Sequence, residues 1–115
     1  MSYNVVEGSV IRFYTAKPFT SLAGTTVNPD VVTFSYQVQG SAAVTFTWTN
    51  GQVPPDPTNT IVNTSTGNFQ ADIQTLGLAG TWTWQWSGQP GISGLDTTKT
   101  SIIDDGEVVV SPKAI

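Results

Sequence analysis

The tightest constraint on this chain is a two-residue rhythm of apolar and polar side chains that recurs along almost its whole length. Thr81-Trp82-Thr83-Trp84-Gln85-Trp86 is its most regular stretch. A β-strand turns successive side chains to opposite faces, so the rhythm fits a sheet with one dry face and one wet face. No three-to-four-residue apolar period competes with it, and no helix is expected. In Ser9 to Thr15, Ile11 and Phe13 share one face, while Val10, Arg12 and Tyr14 share the other. In Val31 to Gln39, Val32, Phe34, Tyr36 and Val38 alternate with Thr33, Ser35 and Gln37. In Ala43 to Thr49, Val44, Phe46 and Trp48 alternate with Thr45 and Thr47.

Turn residues punctuate these runs. Lys17-Pro18 ends the first, and a loop through Ala23-Gly24 leads to Asn28-Pro29-Asp30, where proline fixes φ and the flanking side chains can bond nearby main chain. Gly40-Ser41 and Asn50-Gly51 close the next two strands. Pro54, Pro55 and Pro57 cannot donate to a ladder, so Val53 to Asn59 reads as an extended loop or a crossing between sheets. Short strands are expected at Thr60 to Asn63 and, after the turn Thr66-Gly67-Asn68, at Phe69 to Ile73. Gln89 to Gly94 reads as a loop, and Thr98 to Ser111 as a final strand or a pair interrupted near Asp104-Asp105-Gly106. About seven or eight short strands in 115 residues predict one all-β domain spanning residues 1–115, a sandwich or a barrel by strand count, with an antiparallel β-sandwich the expected form.

Charge narrows the partners. Arg12, Lys17, Lys99 and Lys113 are the only cations and the net charge is −4, too little positive charge to grip a phosphate backbone. Nucleic acid is not an expected partner. No apolar run approaches the roughly 18 residues of a membrane span, and the first residues lack the basic and apolar regions of a signal peptide. Synthesis in the cytoplasm without a cleaved signal is the expectation.

The chain contains neither cysteine nor histidine. Disulfides and thiolate metal sites are therefore excluded, together with the usual general base and the Ser-His-Asp arrangement. The clustered acids Asp104, Asp105 and Glu107 lack calcium-loop spacing and a facing carboxylate, so they read as a solvated turn or a protected edge. Asn63-Thr64-Ser65 matches a glycosylation sequon but carries no weight without a secretion signal. No catalytic residue, cofactor or metal is expected, and the chain is not expected to be an enzyme.

The aromatic residues offer two readings. Alternation places Trp82, Trp84 and Trp86 on one face of one strand. Exposed, they would form a platform for stacking sugar rings, with Trp48 adjoining. Buried, they would form the sandwich core, each removing about 150–250 Å² from water. The polar Thr83 and Gln85 between them favour the core. Each buried indole N–H then needs a partner, and Trp86, nearest the strand end, is expected to be the one that reaches the surface.

Four fragments carry a resemblance to a known group: Gly8-Ser9-Val10-Ile11-Arg12-Phe13, Asn28-Pro29-Asp30-Val31-Val32-Thr33-Phe34, Gly67-Asn68-Phe69-Gln70-Ala71-Asp72-Ile73, and Ala79-Gly80-Thr81-Trp82-Thr83-Trp84-Gln85-Trp86-Ser87-Gly88. In order and spacing the chain resembles small immunoglobulin-like proteins encoded among the virion structural genes of tailed bacteriophages. The resemblance implies an immunoglobulin-like sandwich located in the virion, with capsid or other virion proteins as partners. The implied role is decoration of the head, or alternatively a place in the neck or tail. A homo-oligomer is a further expectation, and the final Thr98 to Ile115 stretch reads either as a strand added to a neighbour's sheet or as the last strand of its own sandwich. The rival reading is a carbohydrate-binding module that stacks a glycan on Trp82, Trp84 and Trp86, with Trp48 adjoining. The proline-rich Val53 to Asn59 stretch departs from the pattern of the group.

Overall fold

The computed structural model describes residues 4–15, 18–20, 25–50, 60–89 and 101–112. The expected Val53 to Asn59 crossing and the loop after Gln89 lie outside the described residues. Within them the chain forms eight strands: β1 (Asn4–Val6), β2 (Val10–Tyr14), β3 (Val31–Val38), β4 (Val44–Thr49), β5 (Ile61–Ser65), β6 (Asn68–Gln74), β7 (Gly80–Gln89) and β8 (Ser101–Ser111). They make a five-stranded sheet in the order β1-β8-β7-β3-β4 and a three-stranded sheet in the order β2-β6-β5. This is an immunoglobulin-like sandwich: hairpins β3-β4, β5-β6 and β7-β8 alternate with connections that change sheet.

Every pairing is antiparallel except β1 with β8, where Asn4, Val5 and Val6 run parallel to Val109, Val110 and Ser111. The sequence pattern did not reveal β1, because three residues are too few to show a period. One other expectation is corrected: β7 continues past Trp86 to Gln89. Of the two readings of Thr98 to Ser111 the structure takes the single strand, β8 from Ser101 to Ser111, in which Asp104, Asp105 and Gly106 keep their ladder positions opposite Trp86, Gln85 and Trp84. The ladder has one register shift, between Trp86 and Ser87. Pairing on β7 holds the acidic residues extended where sequence alone suggested a turn.

Alternation becomes burial as expected except on β4, where Val44 is exposed and Phe46 and Trp48 are only half-buried. Ile11 and Phe13 from β2, Phe69, Ala71 and Ile73 from β6, Val32, Phe34 and Tyr36 from β3, Trp82 and Trp86 from β7, and Val108 and Val110 from β8 meet in one interior. Immunoglobulin domains of antibodies pin their sheets together with a disulfide at this place. Here rings do so: Phe13 of the three-stranded sheet lies 4.9 Å from Phe34 and 5.6 Å from Trp84 of the other, centroid to centroid.

The pole between β1 and β2 is tied by polar groups. Thr75, fully buried, donates its Oγ1 hydrogen to the Ser9 carbonyl (2.6 Å) and accepts from the Gly8 N–H (3.0 Å). At the opposite pole Asn28 accepts from the Gly67 N–H through Oδ1 (2.6 Å), so the Asn-Pro-Asp segment clamps the β5-β6 turn as well as starting β3. Gly67 is required there: its φ is +80°, and a β-carbon would sit 2.9 Å from the Phe19 carbonyl oxygen.

Candidate functional site

The four tryptophans separate into different environments. Trp82 and Trp86 have no exposed surface, whereas Trp84 and Trp48 are half-buried against the core. Trp82 stacks on Tyr36 at 4.6 Å and 12°, and its Nε1 donates to the Leu78 carbonyl at 2.8 Å. Burial of Tyr36 beside it pushes the phenol pKa up. Trp86 lies 4.7 Å from Phe34, and Trp48 meets Phe69 edge-on at 4.8 Å.

The expectation that Trp86 reaches the surface is therefore wrong, and Trp84 is the more open of the pair. Phe19, outside every strand, joins the core at this end: its ring lies against Gly88, two residues beyond Trp86, where a β-carbon would come 2.6 Å from Phe19 Cε1. Phe19 is only 3% exposed yet belongs to no strand, so no period marked it. Of the three indole N–H groups that a buried row must satisfy, one is bonded; Trp84 Nε1 and Trp86 Nε1 are buried without a partner. Trp82 and Trp86 cannot serve as an open stacking platform.

One surface available for recognition is the outer face of the five-stranded sheet, built from the polar half of each alternation. Ladder pairing sets Ser35 and Gln37 of β3 beside Gln85 and Thr83 of β7, and Thr33 and Ser35 beside Thr47 and Thr45 of β4, while Ser87, opposite Thr33, is buried. On the other side of β7, Thr83 and Gln85 pair with Glu107 and Asp105. Two shallow depressions follow this surface. One of about 240 Å³ lies along Ser35, Gln37, Ala43 and Gln85, and one of about 440 Å³ along Gln37, Gln39, Thr81, Thr83 and Glu107. Gln37 is held in place by its Nε2 donating to the Ser41 carbonyl at 2.9 Å.

Electrostatically this face is neutral across β3, β4 and β7 and acidic along β8. Asp105 and Glu107 project outward, whereas Asp104 has the opposite parity, in register with Trp86. The ion pair between Arg12 and Asp72 belongs to the other sheet. Arg12 Nε and Nη2 donate to the two carboxylate oxygens of Asp72 at 2.9 and 3.1 Å. That bonding holds the Asp72 pKa below the usual carboxylate range. The outer face of the five-stranded sheet can thus offer hydroxyl and amide hydrogen bonds with a carboxylate margin. Among the described residues no group of three His, Cys, Asp or Glu side chains is placed to hold a metal ion.

No protein-family model and no curated protein matches this chain. Among solved structures it is similar to the extracellular portion of mouse CD200RLa, with a TM-score of 0.50 and 11% sequence identity over 97% of this chain. This chain spans 55% of that one. At such identity the likeness concerns the fold alone.

Proposed function

We propose that this domain is a non-catalytic assembly module of a tailed-bacteriophage virion, acting as an immunoglobulin-like decoration protein on the capsid exterior. The observation that carries the assembly reading is the outer face of the five-stranded sheet, where Ser35, Gln37, Thr83 and Gln85 form an uncharged hydroxyl and amide surface over two shallow depressions. Such a surface makes protein contacts through short hydrogen bonds with little dependence on salt, which suits a subunit packed closely among others. An aromatic core without cysteine also keeps its stability independent of redox conditions.

The virion setting is supported by the sequence resemblance carried by residues 8–13, 28–34, 67–73 and 79–88. Quantitative mass spectrometry of purified virions tests it. A copy number comparable to that of the shell subunit supports head decoration. A few copies per particle would move the protein to the neck or tail, and its absence from particles overturns the virion role.

A further inference from the structure

A free sheet edge is a row of unpaired main-chain donors and acceptors, and folded proteins blunt it with charge, proline, a bulge or brevity. The other margins described here carry such devices. β1 is three residues long and is followed by Glu7. The part of β8 that β1 leaves uncovered contains Asp104, Asp105 and Glu107. β2 has Arg12 at its centre, and β5 has a register shift between Asn63 and Ser65.

β4 has none of them. Its sequence, VTFTWT, contains no charge or proline, and its pairing with β3 is uninterrupted. The preceding Ser41, Ala42 and Ala43 are likewise uncharged and exposed.

The register shows which main-chain groups face outward. The Asn50 N–H donates to the Asp30 carbonyl (2.8 Å), and the Gln39 N–H donates to the Thr81 carbonyl (2.9 Å). Hydrogen-bonded pairs alternate along an antiparallel ladder, so β3 bonds β4 through Phe34 with Phe46 and Tyr36 with Val44. The N–H and C=O groups of Thr45, and of Ala43 just before the strand, therefore point away from β3.

We infer that residues 42–46 form a self-association edge, pairing antiparallel with the same residues of a second copy about a two-fold axis at Val44. Ala43 of each copy then faces Thr45 of the other, and their outward groups exchange main-chain hydrogen bonds. The Val44 side chains meet on the core-side face, where Val44 is 38% exposed beside half-buried Phe46. The contact is isologous, and no charge from Ser41 to Asn50 opposes it. It extends the five-stranded sheet of one copy into that of the next. The inference rests on edge chemistry alone and does not depend on the virion setting.

Sedimentation velocity on the full chain from about 10 µM to about 1 mM tests it. The expected result is a monomer–dimer equilibrium within that range. Thr45→Pro removes an N–H needed twice per dimer while removing no bond to β3, and is expected to weaken association at least about tenfold. Val44→Lys places two like charges across the axis and is expected to give a monomer that regains dimer at high salt. Circular dichroism establishes which variants fold, and Val44→Lys decides the matter if Thr45→Pro does not. A wild-type chain that stays monomeric throughout, or a dimer undiminished in the folded variants, overturns the inference.

Discussion

The indole of Trp84 lies across the main chain of Gly106, its ladder partner on β8, so closely that a β-carbon on residue 106 would come 2.7 Å from Trp84 Cζ2. The glycine inside the acidic run is therefore a seat for an aromatic ring. Gly106→Ala is expected to displace the indole and cost about 1–3 kcal/mol, the usual penalty for overpacking. Urea denaturation measures the loss, and a red shift in tryptophan emission reports the movement of Trp84 toward water. An unchanged midpoint would mean that the ring relaxes without cost.

Phe19 packs against Gly88 and sits edge-on to Phe69 at 5.7 Å. Phe19→Ala is expected to destabilise the domain by about 3–5 kcal/mol, as for other buried phenylalanines. It should also make Trp86 accessible to acrylamide, with Stern–Volmer quenching rising above that of the wild type. A small cost with unchanged quenching would show that Phe19 does not shield this end of the core.

Thr75 makes its polar contacts from a fully buried position, so Thr75→Val keeps the shape and deletes the hydroxyl. A loss of about 1–2 kcal/mol is expected, because the carbonyl of Ser9 keeps its bond from the Thr75 N–H while Gly8 must turn to solvent. Hydrogen exchange at Gly8 should accelerate with the loss of stability.

Asp72 has its pKa lowered, first by its hydrogen bond from Arg12. A carboxyl with a lowered folded-state pKa stabilises the fold above its unfolded value, and that contribution disappears as pH falls through the folded value. The wild type should therefore exceed Asp72→Asn in melting temperature at about pH 7, and the difference should close at about pH 2. Both side chains are substantially exposed, at 61% and 41%, so the difference is expected to be small and reduced by salt. Equal melting temperatures at neutral pH would show that the pair contributes nothing.

The sequence by itself determined the strands and their inward faces. Period two needs only the covalent geometry of an extended chain, so Ile11, Phe34, Phe69 and Trp82 were legible as core before any partner was known. It also determined, through the absence of cysteine and the scarcity of charge, that packing holds the domain and that its wet face is hydroxyl and amide.

The tertiary structure decided everything that depends on neighbours distant in the chain. It set β1 parallel to β8, kept Asp104, Asp105 and Glu107 extended, buried Trp86 completely while leaving Trp84 half-open, and placed β4 at the margin of the five-stranded sheet. None of these leaves a local period, because each arises from which strand lies beside which. A strand's pattern states which face it buries, while its neighbours decide whether its edge and its ends are covered.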